Sequence, residues 1–234
     1  MNIVNPIHRW AAEGMMNRTS LILVALMLFA CVPSQNNITR NIFYVGGDNK
    51  VKAALIRAGY TLADDFENAD VFVLNGDIPD VNAIASKVED GAGLVLIAGK
   101  EMSFRDVEVL FGYPVSSLIN AEITVTLVVD EYLGKNDPLI NEIDWNDASQ
   151  IRDRALIMTS APGKPLIRVN GYVEVVIGEI GKTSERKIAL EVFLDEQHNM
   201  KFQEWRYFDY LIYNLVERAA GAEPLSFTDF TQRY

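Results

Sequence analysis

The chain has 234 residues, 49% of them hydrophobic, a formal charge of −11 and a single cysteine. That is material for one large domain or two small ones, each able to bury a core. The acidic balance argues against nucleic acid and anionic lipid as partners, because phosphate groups are repelled by such a surface. One cysteine excludes an internal disulfide.

The N-terminal stretch reads as a leader. Leu21–Ala30 is a ten-residue apolar run behind Arg18 and directly ahead of Cys31. As a helix it would span about 15 Å, half of a ~30 Å hydrocarbon core, so it fits a signal-peptide h-region and not a membrane span. Leu28-Phe29-Ala30-Cys31 resembles a bacterial lipobox, with Phe29 bulkier than usual. The resemblance implies lipidation of Cys31 after cleavage of residues 1–30; the alternative is a plain signal peptide with an incidental cysteine. Residues 31–39 would form the lipidated end and a polar tether. MNIVNPIHRWAAEG fits no leader pattern, which points to Met15 or Met16 as the true start. Cleavage deletes Arg9, Arg18 and Glu13, leaving 19 basic and 31 acidic residues, a charge of −12. Membrane contact then falls to the lipid, not to a basic patch.

One domain is expected over 40–221. Asn41–Gly47 reads as a strand, and Lys50–Tyr60 as a helix with Val51, Ala54, Leu55 and Ala58 on one face. The glycines at 46 and 47 read as a tight turn, since Asp48 would oppose a phosphate. Thr61–Asn68 reads as a link whose Asp64, Asp65 and Glu67 lack calcium-loop spacing. Residues 70–103 form a strand–helix–strand unit. VFVLNG and GLVLIAG are the buried strands; the helix between them is capped by Asp80 and stopped by Gly91. Phe104–Phe111 is a short helix. From Ile123, ITVTLVVD alternates like an antiparallel or edge strand. Strands follow at 155–159, 166–169, 172–179 and 187–194, with Lys182–Glu185 as a hairpin tip. A helix over 202–220 carries a broad aromatic stripe, and 222–234 reads as a tail.

NGDIP after a strand, a helix, then EDGAGLVLIAGKEMSF resembles the class I glutamine amidotransferase-like (flavodoxin-like) domain, in its non-catalytic envelope variants. Asn136-Asp137-Pro138-Leu139-Ile140 resembles that family's "HPL" turn, Lys187–Leu194 its penultimate strand and Trp205–Gly221 its closing helix. The resemblance covers about 180 residues. It implies an α/β fold: a flavodoxin-like, mostly parallel sheet flanked by helices, with added antiparallel strands in the C-terminal half. It also locates the nucleophile turn after GLVLIAG, where a working enzyme needs a cysteine activated by a downstream His and Glu. Here Lys100 and Glu101 stand at that turn. Ser103, Ser116, Ser117 and Ser160 are free of any G-x-S-x-G elbow.

Ligands of such sheets bind beyond the carboxyl ends of the strands. Asn75, Asp77, Lys100, Glu101 and His198 are therefore the candidate ligand-binding residues. No catalytic residue, metal ligand or cofactor is assigned. The expected function is a non-enzymatic binding or assembly module, lipid-anchored in the cell envelope and facing the periplasm or exterior, with an envelope protein partner. The alternatives are a solute-binding lipoprotein for a small polar or sugar-like ligand and a metal-dependent hydrolase using Asp77, Glu101 and His198.

Overall fold

The computed structural model describes residues 40–148 and 150–234. Cys31, the leader and the tether lie outside the described residues.

The chain alternates strand and helix through its first half and is mainly strand thereafter. The elements are β1 (Asn41–Val45), α1 (Lys50–Arg57), β2 (Thr61–Leu62), β3 (Val71–Asn75), α2 (Val81–Glu89), β4 (Gly93–Ile97) and α3 (Phe104–Phe111). Then come β5 (Val115–Val125), β6 (Leu127–Val129), β7 (Ile151–Thr159), β8 (Gly163–Val169), β9 (Val175–Ile180) and β10 (Lys187–Leu190). Three helices close the chain: α4 (Met200–Gln203), α5 (Phe208–Ala219) and α6 (Phe227–Arg233).

Eight strands form one sheet in the order β2-β1-β3-β4-β10-β9-β8-β6. From β2 to β10 every pairing is parallel, and counted along the chain these five strands lie in the order 2-1-3-4-5. That is the flavodoxin-like order. β9, β8 and β6 extend the sheet antiparallel, so the expected fold class is the one observed. β5 and β7 form a separate antiparallel pair.

Alternation along the central strands sorts the core into two layers. Val71, Val73, Val95 and Ile97 face α1 and α5, where Leu55, Leu211 and Leu215 are buried. Phe72, Leu74, Leu94 and Leu96 face α2 and α3 on the other side, against Ile84, Val88, Val107 and Phe111. The first three helices each start where a side chain satisfies orphan N–H groups: Asn49 caps α1, Asp80 caps α2 as expected, and Ser103 caps α3. Gly93 is required by the close approach of α5, because a Cβ there would lie 2.2 Å from the Ala219 carbonyl oxygen. At the same end of that helix, Glu217 receives both arms of the Arg40 guanidinium at 2.9 Å and the Tyr60 hydroxyl at 2.9 Å.

Four expectations are corrected. Thr61-Leu62, read as part of a link, is the parallel edge strand. The stretch read as one strand from Ile123 divides at Thr126, with Val125 pairing to β7 and Leu127 to β8. Both residues are buried and two apart, so the alternation runs through the change of sheet without a mark. The helix expected over 202–220 is interrupted at 204–207, because Trp205 packs on Trp145 (5.3 Å between rings) and Phe202 (5.7 Å) as part of the main core. Residues 222–234 end in α6, whose Phe230 is buried against Tyr210 and Tyr213. Among the described residues no helix is long and apolar enough to cross a membrane.

Candidate functional site

The carboxyl ends of β1, β3 and β4 meet along one edge of the sheet, and the chain uses that edge for its own packing. Asn75 is buried, and its amide nitrogen donates to the Tyr44 hydroxyl (3.3 Å) and to the Leu194 carbonyl (3.2 Å). It therefore ties β3 to β1 and to the segment after β10. Asp77 is exposed and accepts from the N–H of Ile78 at 2.8 Å. Between these strands, the turns at Gly76 and Gly99 touch backbone to backbone: a Cβ on Gly99 would lie 2.2 Å from the Gly76 Cα. The two turns therefore leave no room for a side chain between them.

The turn after β4 is directed sideways. The Lys100 carbonyl accepts from the Asn120 amide (3.0 Å), and its ammonium lies 3.9 Å from Glu122, so both groups engage β5. Glu101 is exposed, and the N–H of Gly99 meets the Met102 sulfur at 3.2 Å. Ser103 is spent as the α3 cap, its hydroxyl accepting from the Arg105 N–H at 3.2 Å.

His198 belongs to a loop of its own. Its Nδ1 lies 2.6 Å from Asp195 Oδ2, and its ring meets Phe193 edge-on at 5.7 Å. Burial acts to raise the Asp195 carboxyl, but the N–H of Gln197 and the His198 ring outweigh it and the net shift is downward. The Gln203 amide donates to the carbonyls of Asp195 (2.8 Å) and His198 (2.7 Å), which fixes the loop from below. The five candidate residues make separate local contacts. Among the described residues no group of three or more His, Cys, Asp or Glu side chains is poised to hold a metal ion, so Asp77, Glu101 and His198 do not assemble the hydrolase site considered above.

A different concavity is present on the antiparallel side. β7 is held to the end of β10 only over its first half, where the N–H of Ala155 donates to the Glu191 carbonyl (3.2 Å) and Arg154 bridges to Val192. Beyond that point β7 diverges from β8 and β9 and leaves a groove of about 730 Å³. Its walls are mostly apolar, with Val115, Leu156, Ile157, Pro165, Val175 and Ala189 among them.

Glu174, Glu179 and Glu191 line this groove, and of the three Glu191 alone has no ion-pair partner among the described residues. Glu191 is 6% exposed, and its Oε2 accepts from the Ile157 N–H at 3.2 Å. The side chain thus takes the place of a missing strand neighbour along β7. Burial pushes this carboxyl well above the usual carboxylate range, helped by the charge of Glu174 and opposed by the Ile157 N–H and Arg154. Sequence reading passed over Glu191 as one polar residue in a strand. The available signal was its position inside the apolar run IALEVFL.

No family model matches the chain, and no curated protein matches it. Solved structures similar to it at low identity include the following two. The protein SMU.1228c is 13% identical, aligning over 76% of this chain and 97% of its own with a TM-score of 0.49. A glutamine amidotransferase from Thermotoga maritima is 9% identical, over 79% and 99%, with a TM-score of 0.48.

Chemically, the strand-end edge offers exposed charges without convergence. The groove offers a half-open, mainly apolar surface and, in Glu191, an acid that burial favours in its protonated form.

Proposed function

We propose that this is a lipid-anchored envelope protein whose α/β domain binds and does not catalyse. The observation that carries the reading is the turn after β4. Gly99-Lys100-Glu101 presents no thiol or hydroxyl at the place where an amidotransferase-like domain needs its nucleophile, and the close approach of Gly76 leaves no room for a side chain at Gly99. The anchor reading rests on Cys31 following an apolar run, and on an acidic chain for which a lipid is the suitable membrane contact. An envelope protein is the expected partner.

The test has two parts. Intact mass and detergent partition of wild type beside Cys31→Ser should show an acylated chain beginning at Cys31, lost in the variant; a freely soluble, unacylated product removes the anchor. Glutaminase and amidase assays of the same preparation should show no turnover above buffer. Turnover that disappears on changing Lys100, Glu101 or His198 would refute the non-catalytic reading. A small-ligand reading is favoured by one observation, the apolar groove between β7 and the main sheet.

A further inference from the structure

We propose that the groove between β7 and strands β8 and β9 is a binding site for a small, uncharged, mainly apolar molecule carrying a carbonyl group, with the Glu191 carboxylic acid donating its proton to that carbonyl oxygen. The proposal rests on the reading of the domain as a binding module and needs neither the lipid anchor nor a particular protein partner.

The size comes first. About 730 Å³ lies within the range of drug-sized ligand sites, and the lining is predominantly aliphatic. Charge selection follows from pairing. Glu191 apart, the charged side chains along the groove each have an opposite partner: Glu174 holds Arg154 at 2.8 Å, Glu179 holds Arg218 at 2.6 Å, Lys164 is bonded to Asp137 and Arg168 to Asp130. A ligand bearing net charge would lose hydration and find no unmatched counter-charge, a costly exchange in an apolar lining.

The polar contact is then set by Glu191. Its Oε2 is committed to the Ile157 N–H, and among the described residues no hydrogen bond is made by Oε1. Of the groups that face it, Arg154 on β7 and Glu174 ahead of β9 neutralise one another; Lys164 and Arg168 on β8 and Glu179 on β9 are paired as above. Burial favours the neutral acid, and a neutral acid whose one oxygen accepts from backbone has an O–H to offer through the other. Its complement is an acceptor, and a carbonyl oxygen is the simplest one compatible with an apolar body.

Benzophenone is a suitable probe for the full chain: it is an uncharged aryl ketone that, once excited, inserts into nearby C–H bonds. Irradiation followed by peptide mapping should give saturable labelling on β7, β8 or β9, with Met158 a favoured position. Butyrophenone should suppress that labelling about tenfold more effectively than butylbenzene, the difference being one hydrogen bond. Labelling should fall as pH rises and Glu191 ionises, whereas Glu191→Gln, which retains a donor, should label with a flat pH profile. Val175→Trp, filling the groove, should abolish labelling; thermal melts of both variants establish that they are folded. Labelling that is unsaturable or maps elsewhere, equal competition by the two competitors, or a pH profile unchanged in Glu191→Gln would each overturn the proposal. Failure of acylation, or detection of amidase turnover, would refute the anchored non-catalytic reading and leave the labelling result as it stands.

Discussion

Replacing Gly99 by Ala tests the closure of the strand-end edge directly. The added Cβ would sit 2.2 Å from the Gly76 Cα, 2.6 Å from its carbonyl oxygen and 2.8 Å from its carbonyl carbon. All three are backbone atoms next to the β3–β4 register of Asn75 with Ile97, so no side chain can rotate away and the strand ends must part by more than 1 Å of the roughly 3.4 Å that a carbon contact needs. Overpacking in a closed region costs about 1–3 kcal/mol, and the rigidity of the partners puts this case near 3 kcal/mol. With a urea m-value of about 2–3 kcal/mol/M, the unfolding midpoint should fall by roughly 1 M. Gly47→Ala, two turns away on the same edge, is the control: nothing lies within 4 Å of its Cβ, and a change of under about 0.5 kcal/mol is expected. If the two variants melt at the same urea concentration, the turns do not touch.

Glu191→Gln should change how stability depends on pH. The buried carboxyl has its folded pKa raised, so wild-type stability is full below the unfolded value of about 4.3 and is lost progressively as pH rises toward the folded pKa. The amide has no such slope, and urea melts at pH 4 and pH 8 should show the variant gaining on wild type at the higher pH; parallel profiles would mean the acid is solvated. Tyr60→Phe removes the donor to Glu217 but leaves the Arg40 fork intact, for an expected loss of about 0.5–1.5 kcal/mol by chemical denaturation. Phe230→Ala empties a buried aromatic site between Tyr210 and Tyr213 and should cost about 3 kcal/mol. A loss under 0.5 kcal/mol would show that α6 is a surface appendage.

The parallel half of the fold was legible because buried parallel strands are written as unbroken apolar runs. VFVLN and GLVLI could hardly be anything else, and Asp80 and Ser103 stand where helix starts need an acceptor. The antiparallel half was legible as strands and illegible as sheets. Thr126 separates two strands of different sheets while the period-two pattern continues across it, because pattern reports burial and not the identity of the neighbour. The same limit hid Glu191. Its burial comes from β7 crossing the end of β10, a contact between residues more than thirty positions apart. Asn75 was legible as a strand-end polar residue, but its commitment to Tyr44 and Leu194 depends on a loop 119 positions downstream. The interruption at 204–207 contains neither Gly nor Pro, so nothing local announces it.

The division at Thr126 has a mechanical consequence. Only that residue separates the last pair of the small sheet, Val125 with Ile151, from the first pair of the large one, Leu127 with Val169. The N–H of Asn170 bonds to the Thr126 carbonyl at 2.8 Å, so the connection is held on its far side as well. A second tie joins the two sheets at Arg154 and Val192. A layer fastened at two separate points keeps only rotation about the line that joins them, which limits how far β7 can move from β9. A molecule entering there spends little on shaping its own receptacle, which is the preorganisation that lets a modest contact area sustain useful affinity.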